Sequence, residues 1–181
     1  ALLLLSFYSC ESWLNVTPSD RLSEEMLFND REGFVKALNG VYIELNTNEL
    51  YGRNLTAGAL DVMGQYYSVA SSSHAFYNYG GLVYTGNDEK ALFDNMWQKC
   101  YAVIACCNTI IEKCDENKAG LSPVWRGSIK GEALALRAML HFDMLRLFGP
   151  LTSELDKESI PYQTNSDQTV TPCLLYTSPS P

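Results

Sequence analysis

Residues 131–150 read GEALALRAMLHFDMLRLFGP and form the most strongly helical stretch of the 181-residue sequence. Apolar residues recur there at helical spacing for about five turns, and the pattern stops at the breaker Gly149-Pro150. They fall on two faces that lie well apart around the helix. The first face holds Ile129, Ala133, Leu136, Leu140 and Leu147, and the second holds Leu134, Ala138, Phe142 and Leu145. A helix with two apolar faces packs against two neighbours, so this stretch predicts a stack of helices.

A basic strip runs between the two apolar faces. It consists of Arg126, Lys130, Arg137 and His141. Such a strip is typical of the narrow polar seam of a helix held inside a helical stack.

The motifs in and before this stretch resemble those of the SusD/RagB family, the surface glycan-binding lipoproteins of Bacteroidota. The family's signature helix is matched by Gly131-Glu132-Ala133, Leu136-Arg137-Ala138, Phe142 and Leu147-Phe148-Gly149-Pro150. Its preceding helix is matched by Trp97, Tyr101, Ile104 and Asn108, and its first helix by Gly40-Val41-Tyr42. The resemblance covers roughly residues 10–165 and suggests an N-terminal fragment of a family member.

The resemblance implies an all-α fold of tetratricopeptide-like stacked helices with long ligand-binding loops. It also implies a binding protein rather than an enzyme, with no cofactor. The expected partners are an oligosaccharide ligand, a SusC-like TonB-dependent transporter and, through a lipid anchor, the cell outer membrane. The expected localisation is the bacterial surface.

Composition narrows the class of partner without naming one. The sequence is 46% hydrophobic and 19% charged, as in ordinary globular domains. Its net charge of -8 argues against nucleic acid, because the basic strip of the signature helix is expected to lie inside the stack and no other basic stripe exists that could neutralise a phosphate backbone.

The first residues resemble the end of a lipoprotein signal peptide. Residues 1–9 form a short apolar run that is too short to span a bilayer, and Cys10 follows directly. We therefore expect Cys10 to be the lipid anchor, and a buried N-terminal cysteine is the alternative. The predicted organisation is an anchor and tether over residues 10–28, a truncated helical region over 29–165 and a non-native tail over 170–181.

Three helices are predicted before the signature helix. The first begins near residue 30 with Asn29 or Asp30 as its cap, and the second covers residues 55–63 and ends at Gly64. The third covers about residues 91–113, and Gly120 and Pro123 separate it from the signature helix.

The stretch from Gln65 to Asp88 changes to Tyr, Ser, Gly and Asn and has no helical period, so it predicts a long loop. Long loops in compact domains are usually functional or disordered. Sugars are bound by aromatic rings on their C–H faces and by amide or carboxylate groups around their hydroxyl rims. The predicted ligand-binding residues are Asp61, Tyr66, Tyr67, Tyr77, Asn78 and Tyr79. The alternative for each is a structural role, either a ring covering the helical stack or, for Asp61, a surface carboxylate.

Cysteine and histidine offer little for catalysis or metal binding. Cys100, Cys107 and Cys114 share a helical face about 10 Å apart, which is too far for a disulfide, so we expect them and Cys106 to be buried apolar residues. The two histidines, His74 and His141, belong to no recognised catalytic motif. We expect His141 to be a partly buried helical residue near Arg137.

Three other functions stay open from the sequence. A RagB-type member would take up peptides rather than glycans. An intracellular tetratricopeptide scaffold is disfavoured by the signal-like start and Cys10, and a surface glycoside hydrolase by the lack of an acid/base pair.

Overall fold

The computed structural model describes residues 24–150, 157–167 and 173–176. Cys10, the predicted signal peptide and most of the predicted tether therefore lie outside the described residues. The helices are α1 (Glu24–Leu27), α2 (Arg31–Leu45), α3 (Ala59–Met63), α4 (Tyr77–Gly80), α5 (Asn87–Glu116) and α6 (Pro123–Phe148). The strands are β1 (Glu158–Tyr162) and β2 (Cys173–Tyr176). The prediction of an all-α chain of stacked helices is confirmed.

The ends of the long helices follow local sequence signals. Asp30 caps α2 by accepting a hydrogen bond from the backbone N of Gly33 at 2.8 Å. Asn117 ends α5 in the left-handed conformation, with φ of 46°. Ser122 caps α6 ahead of Pro123, and the helix ends at Phe148, with Gly149 as its C-cap directly before Pro150.

In the described part of the chain, the stack consists of α2, α5 and α6. The ion pair between Lys130 and Asp115 and the ring contact between Trp97 and Phe148 lie at opposite ends of α5 and α6, so these two helices are antiparallel. Helix α2 packs on both of them. The first apolar face of α6 is buried here, with Ala133 and Leu140 at 0% exposure. Burying a large apolar side chain such as that of Leu140 stabilises the fold by about 1.5–3 kcal/mol.

The second apolar face of α6 is open to solvent over much of its length. Leu134 is 36% exposed and Phe142 is 59% exposed. The sequence predicted two neighbours for this helix, and the described residues cover one of its two apolar faces.

Two predicted helices have different bounds in the structure. The second covers Ala59–Met63 rather than residues 55–63, because the hydroxyl of Thr56 bonds the carbonyls of Tyr51 and Arg53 and holds the preceding residues in turns. Helix α5 begins at Asn87 rather than near residue 91, with two carboxylates in its first turn.

The cysteine prediction is right at three positions and wrong at the fourth. Cys100, Cys107 and Cys114 are at 0% exposure, whereas Cys106 is exposed. Cys106 directly precedes Cys107 along the helix, so it points about 100° away from the buried stripe. All four thiols are free, and burial raises the pKa of Cys100 and of Cys107 to about 12.

Two residues of the basic strip of α6, Arg137 and His141, hold the segment that follows the stack. Arg137 donates to the side-chain oxygen of Asn108 at 2.8 Å, and Asn108 in turn donates to the carbonyls of Gln163 and Asn165. The Nε2 of His141 accepts from the backbone N of Gln163 at 3.1 Å. His141 is only 3% exposed, so it is more deeply buried than predicted.

Strand β1 pairs antiparallel with β2. Strand β2 lies within residues 170–181, the predicted non-native tail. Strand pairing uses backbone groups that almost any sequence possesses, so a non-native tail can form it as well as a native one. The domain boundaries stay predictions.

Candidate functional site

The loop between α3 and α5 contains two sets of aromatic rings. We call Phe76, Tyr79 and Tyr84 the anchor rings, because they pack on one another and on α5. Centroid distances join Tyr79 to Phe76 at 5.8 Å and to Phe93 of α5 at 6.0 Å. Phe93 in turn contacts Phe148 at the end of α6 at 6.2 Å. The anchor rings therefore fix the loop to the end of the stack.

The second set consists of Tyr66, Tyr67 and Tyr77, which we call the surface rings. Their exposed fractions are 79%, 55% and 41% respectively. Each of these residues leaves at least 41% of its surface available to a ligand. The predicted loop thus combines a fixed base with an exposed aromatic surface.

A cavity of about 390 Å³ brings three of the predicted ligand residues together. Tyr67, Tyr77 and Asn78 all line it. Its other lining residues are Gln65, Ser68, Val69, Gly80, Gly81 and Val83. None of these six residues was predicted as a ligand-binding residue from the sequence. Gln65 could have been, because it is a polar residue directly before Tyr66 and Tyr67.

Gln65 lines the cavity and bonds to the backbone of two other segments. Its backbone adopts a φ of 61°, in the left-handed region that residues other than glycine seldom use. Its side-chain amide donates to the carbonyl of Gly80 at 3.0 Å and to that of Val62 at 3.3 Å. These bonds join the end of α3 to the end of α4. They therefore fix Gln65 and Gly80, which both line the cavity, relative to each other.

The other three predicted residues lie outside the cavity lining. Tyr79 is 2% exposed and its hydroxyl donates to the carbonyl of Asp88 at 3.5 Å, so its ring cannot stack on a sugar in this conformation. Burial raises its pKa, with further contributions from the carboxylates of Glu89 and Asp88. Tyr66 is exposed beside the cavity, and Asp61 lies half-buried in the middle of α3 rather than at its end.

A second cavity, of about 470 Å³, lies between α5 and the segment around β1. It is lined by Trp97, Gln98, Tyr101, Ala102, Ala105, Pro161 and Gln163. The hydroxyl of Tyr101 donates to the carbonyl of Pro161 at 2.8 Å, and Trp97 packs on Tyr101 and Phe148. Its two large rings therefore already have structural partners, and we assign the functional site to the loop.

Two further findings bear on the kind of protein. Within the described residues, no helix combines the length and apolar character needed to cross a bilayer. The same residues contain no cluster of three or more His, Cys, Asp or Glu side chains that could hold a metal ion. Fold and site together define a stacked-helix protein whose candidate site is an uncharged, tyrosine-lined cavity on a fixed loop.

Comparison with known proteins places the chain in a family. A SusD-like family model, described as "Starch-binding associating with outer membrane", matches residues 12–173. The chain therefore belongs to this SusD-like family, which is a family of binding proteins rather than enzymes. The resemblance read from the signature helix is confirmed.

Two curated relatives agree with this assignment. SusD-like protein P2 of Formosa agariphila is 25% identical over 154 residues, which is 82% of this chain. SusD-like protein P25 of the same organism is 23% identical over 163 residues, or 81% of this chain. The chain spans 29% of the length of each relative. No solved structure gives a significant match.

Proposed function

We propose that the protein containing this chain is a surface-exposed lipoprotein that captures oligosaccharides and delivers them to a SusC-like TonB-dependent transporter in the outer membrane. The family description, starch binding with outer-membrane association, supports the general part of this proposal. The ligand, the transporter and the anchor at Cys10 are proposed from the resemblance and from the loop.

The observation that carries the proposal is the cavity lined by Tyr67, Tyr77 and Asn78. Tyrosine rings offer apolar faces to the C–H surface of a sugar, and an amide offers a hydrogen-bonding group to a hydroxyl. The described lining residues carry no charge, which suits a polyhydroxylated ligand. The anchor rings and Gln65 hold the loop in place. The loop therefore loses little conformational entropy when a ligand binds.

A tyrosine panel tests the site in the full-length protein. We expect Tyr67→Ala and Tyr77→Ala each to weaken retardation in polysaccharide affinity gels, because each stacked ring contributes on the order of 1 kcal/mol, or about fivefold in affinity. Helical circular dichroism should not change, since Tyr67 and Tyr77 are 55% and 41% exposed and neither belongs to the core of the helical stack.

Tyr42→Ala is the matched control. Tyr42 has nearly the same exposure as Tyr77, 45% against 41%, but lies on α2 and does not line the cavity. Equal losses in Tyr42→Ala and Tyr77→Ala would show that the gels report general surface changes. Normal glycan binding by the Tyr67→Ala/Tyr77→Ala double variant would place the site elsewhere, and retention of peptides alone would favour a RagB-type role.

The anchor is tested separately at Cys10. One acyl chain gives marginal membrane affinity, whereas the several chains of a bacterial lipoprotein anchor it stably. We expect Cys10→Ala to move the protein from the membrane fraction to the soluble fraction. Membrane retention at the wild-type level would contradict acylation at this residue.

A further inference from the structure

Helix α4 ends in a hydrogen-bonded turn beside the loop cavity. The backbone N of Leu82 donates to the carbonyl of Tyr79 at 3.1 Å, and the backbone N of Val83 donates to that of Asn78 at 2.9 Å. This pair of bonds is the Schellman motif, in which the residue after the C-cap adopts the left-handed conformation. Here that residue is Leu82, with a φ of 56°, and Gly81 is the C-cap before it. The two bonds therefore fix the backbone that carries Leu82 and Val83.

Leucine is an unfavourable residue at this position. Glycine adopts the left-handed conformation without a steric clash and is the usual residue there, whereas the Cβ of leucine crowds the backbone. Asn117 and Gln65 also have positive φ, but asparagine tolerates this conformation and the side chain of Gln65 bonds two carbonyls. Leu82 is 57% exposed and does not belong to the hydrophobic core of the described residues. Its packing offers little to offset the strain, and a strained residue beside a cavity indicates a role in binding.

Leu82 lies at the edge of the loop cavity, together with two valines. Gly81 and Val83, the residues on either side of Leu82, both line the cavity. Val83 is 49% exposed, although valine is among the residues most often buried. Val69 also lines the cavity and is half-buried. We call Val69, Leu82 and Val83 the aliphatic edge of the cavity.

The aliphatic edge favours a different part of a ligand from the surface rings. A tyrosine ring can stack on the C–H face of a sugar and leave the hydroxyl groups free around it. A sugar hydroxyl that rests on valine or leucine loses hydrogen bonds to water and gains none. A methyl group placed there removes apolar surface from water, and one buried carbon is worth about fourfold in affinity. The aliphatic edge therefore suits a part of the ligand that carries no hydroxyl group.

We propose that the aliphatic edge is an apolar subsite that binds a methyl-bearing substituent of the sugar ligand, such as an O-acetyl or O-methyl group. This inference rests on the proposed glycan-binding function and specifies the kind of glycan. Leu82 is then a binding residue, and its strained backbone is retained because its side chain contacts the ligand.

The first test compares matched polysaccharides in affinity gels of the full-length protein. Acetylated xylan and acetylated glucomannan are each run before and after mild alkali removes their acetyl groups. Methylcellulose is run beside hydroxyethylcellulose, so that acetyl and methyl groups are tested separately, and amylopectin and laminarin serve as unsubstituted polysaccharides. We expect at least one acetylated or methylated polysaccharide to be bound more tightly than its counterpart by about fourfold or more. We call this ratio of affinities the substituent preference.

The second test changes the polarity of residue 82 without adding strain. Asparagine tolerates the left-handed conformation and has a side chain of the same branched shape as leucine, so Leu82→Asn keeps the turn and removes the apolar contact. We expect this variant to reduce the substituent preference by about fourfold. Leu82→Met keeps an apolar side chain and should retain most of the preference. Ile43→Asn is the matched control and should leave the preference unchanged, because Ile43 is 69% exposed on α2 and does not line the cavity.

Leu82→Gly separates a binding role from a packing role. Glycine relieves the steric strain, so the denaturation midpoint of the full-length protein should stay the same or rise. The substituent preference should nevertheless fall by about fourfold, because the apolar contact is lost. A packing role for Leu82 would give the opposite result, a lower midpoint with an unchanged preference.

The outcomes distinguish this inference from the proposed function. Equal or tighter binding of the unsubstituted polysaccharides by wild type would leave glycan binding standing and overturn the inference. An unchanged preference in Leu82→Asn, or a lower midpoint with unchanged preference in Leu82→Gly, would also overturn it. If wild-type protein bound none of these polysaccharides, both the proposed function and the inference would be wrong.

Discussion

The surface rings and the anchor rings occupy the same loop and yet have opposite environments. Tyr77 and Tyr79 stand two residues apart on α4, but Tyr77 is 41% exposed at the cavity and Tyr79 is 2% exposed against α5. Tyrosine serves both roles because its ring is apolar and its hydroxyl can be satisfied by one partner. Composition can therefore identify an aromatic loop, but only the packing partners show which rings hold it and which are available.

The largest expected effect comes from removing an anchor ring. Tyr79→Ala leaves a cavity between the loop and Phe93, and aromatic-to-alanine changes in cores cost about 3–5 kcal/mol. We expect a loss of about 3 kcal/mol in the free energy of unfolding of the full-length protein, measured by chemical denaturation. Tyr79→Phe, which keeps the ring and loses only the 3.5 Å contact to Asp88, should cost about 1 kcal/mol or less.

This result decides whether the loop belongs to the stack. If Tyr79→Ala cost less than about 1 kcal/mol, the anchor rings would be dispensable and the distinction between the two sets would fail. A loss as large as that of a stack residue such as Leu140→Ala, about 2–5 kcal/mol, would show that the buried half of the loop is part of the core.

An intermediate effect on the free energy of unfolding is expected when the pH is lowered. It arises at His141, which lies at the far end of the same series of ring contacts. The ring contacts continue from Phe148 through Trp97 and Tyr101 to His141. The Nδ1 of His141 lies 2.9 Å from the carbonyl of Arg137, and its Nε2 accepts from Gln163, so the ring is held neutral with its proton on Nδ1.

Burial lowers the pKa of His141, and the charge of Arg137 lowers it further, although the bond to the carbonyl of Arg137 opposes this. The unfolded chain then binds a proton more readily than the folded chain. Stability from this group is complete above the unfolded pKa of about 6.5 and is lost as the pH falls below it, down to the lowered folded value.

We therefore expect the free energy of unfolding to fall between pH 7 and pH 5 more steeply in wild type than in His141→Gln. Both proteins share the carboxylates, so the difference between their pH profiles isolates His141. Parallel profiles would indicate that His141 takes up its proton without disturbing Gln163.

The smallest effect on stability is expected at the most exposed surface ring. Tyr66 is 79% exposed, so Tyr66→Ala should change the free energy of unfolding by less than about 0.5 kcal/mol. Chemical denaturation beside Tyr79→Ala provides the direct comparison. A loss near that of Tyr79→Ala would mean that Tyr66 also anchors the loop.

Local patterns in the sequence were enough to locate the three long helices, α2, α5 and α6, and to indicate the family. The cap at Asp30, the break at Gly149-Pro150 and the spacing of Ala133 and Leu140 depend on residues a few positions apart, so a linear reading recovers them. The same reading selected Tyr67, Tyr77 and Asn78, which the structure brings into one cavity.

Contacts between distant residues decided the rest. Tyr79 is buried because Phe93 lies against it, and Glu89 meets Asn78 only because the loop folds back on the start of α5. His141 is buried because residue 163 returns to it from beyond the stack. Local periodicity contains no information on which separated segments meet, so the division between anchor rings and surface rings was set by tertiary packing alone.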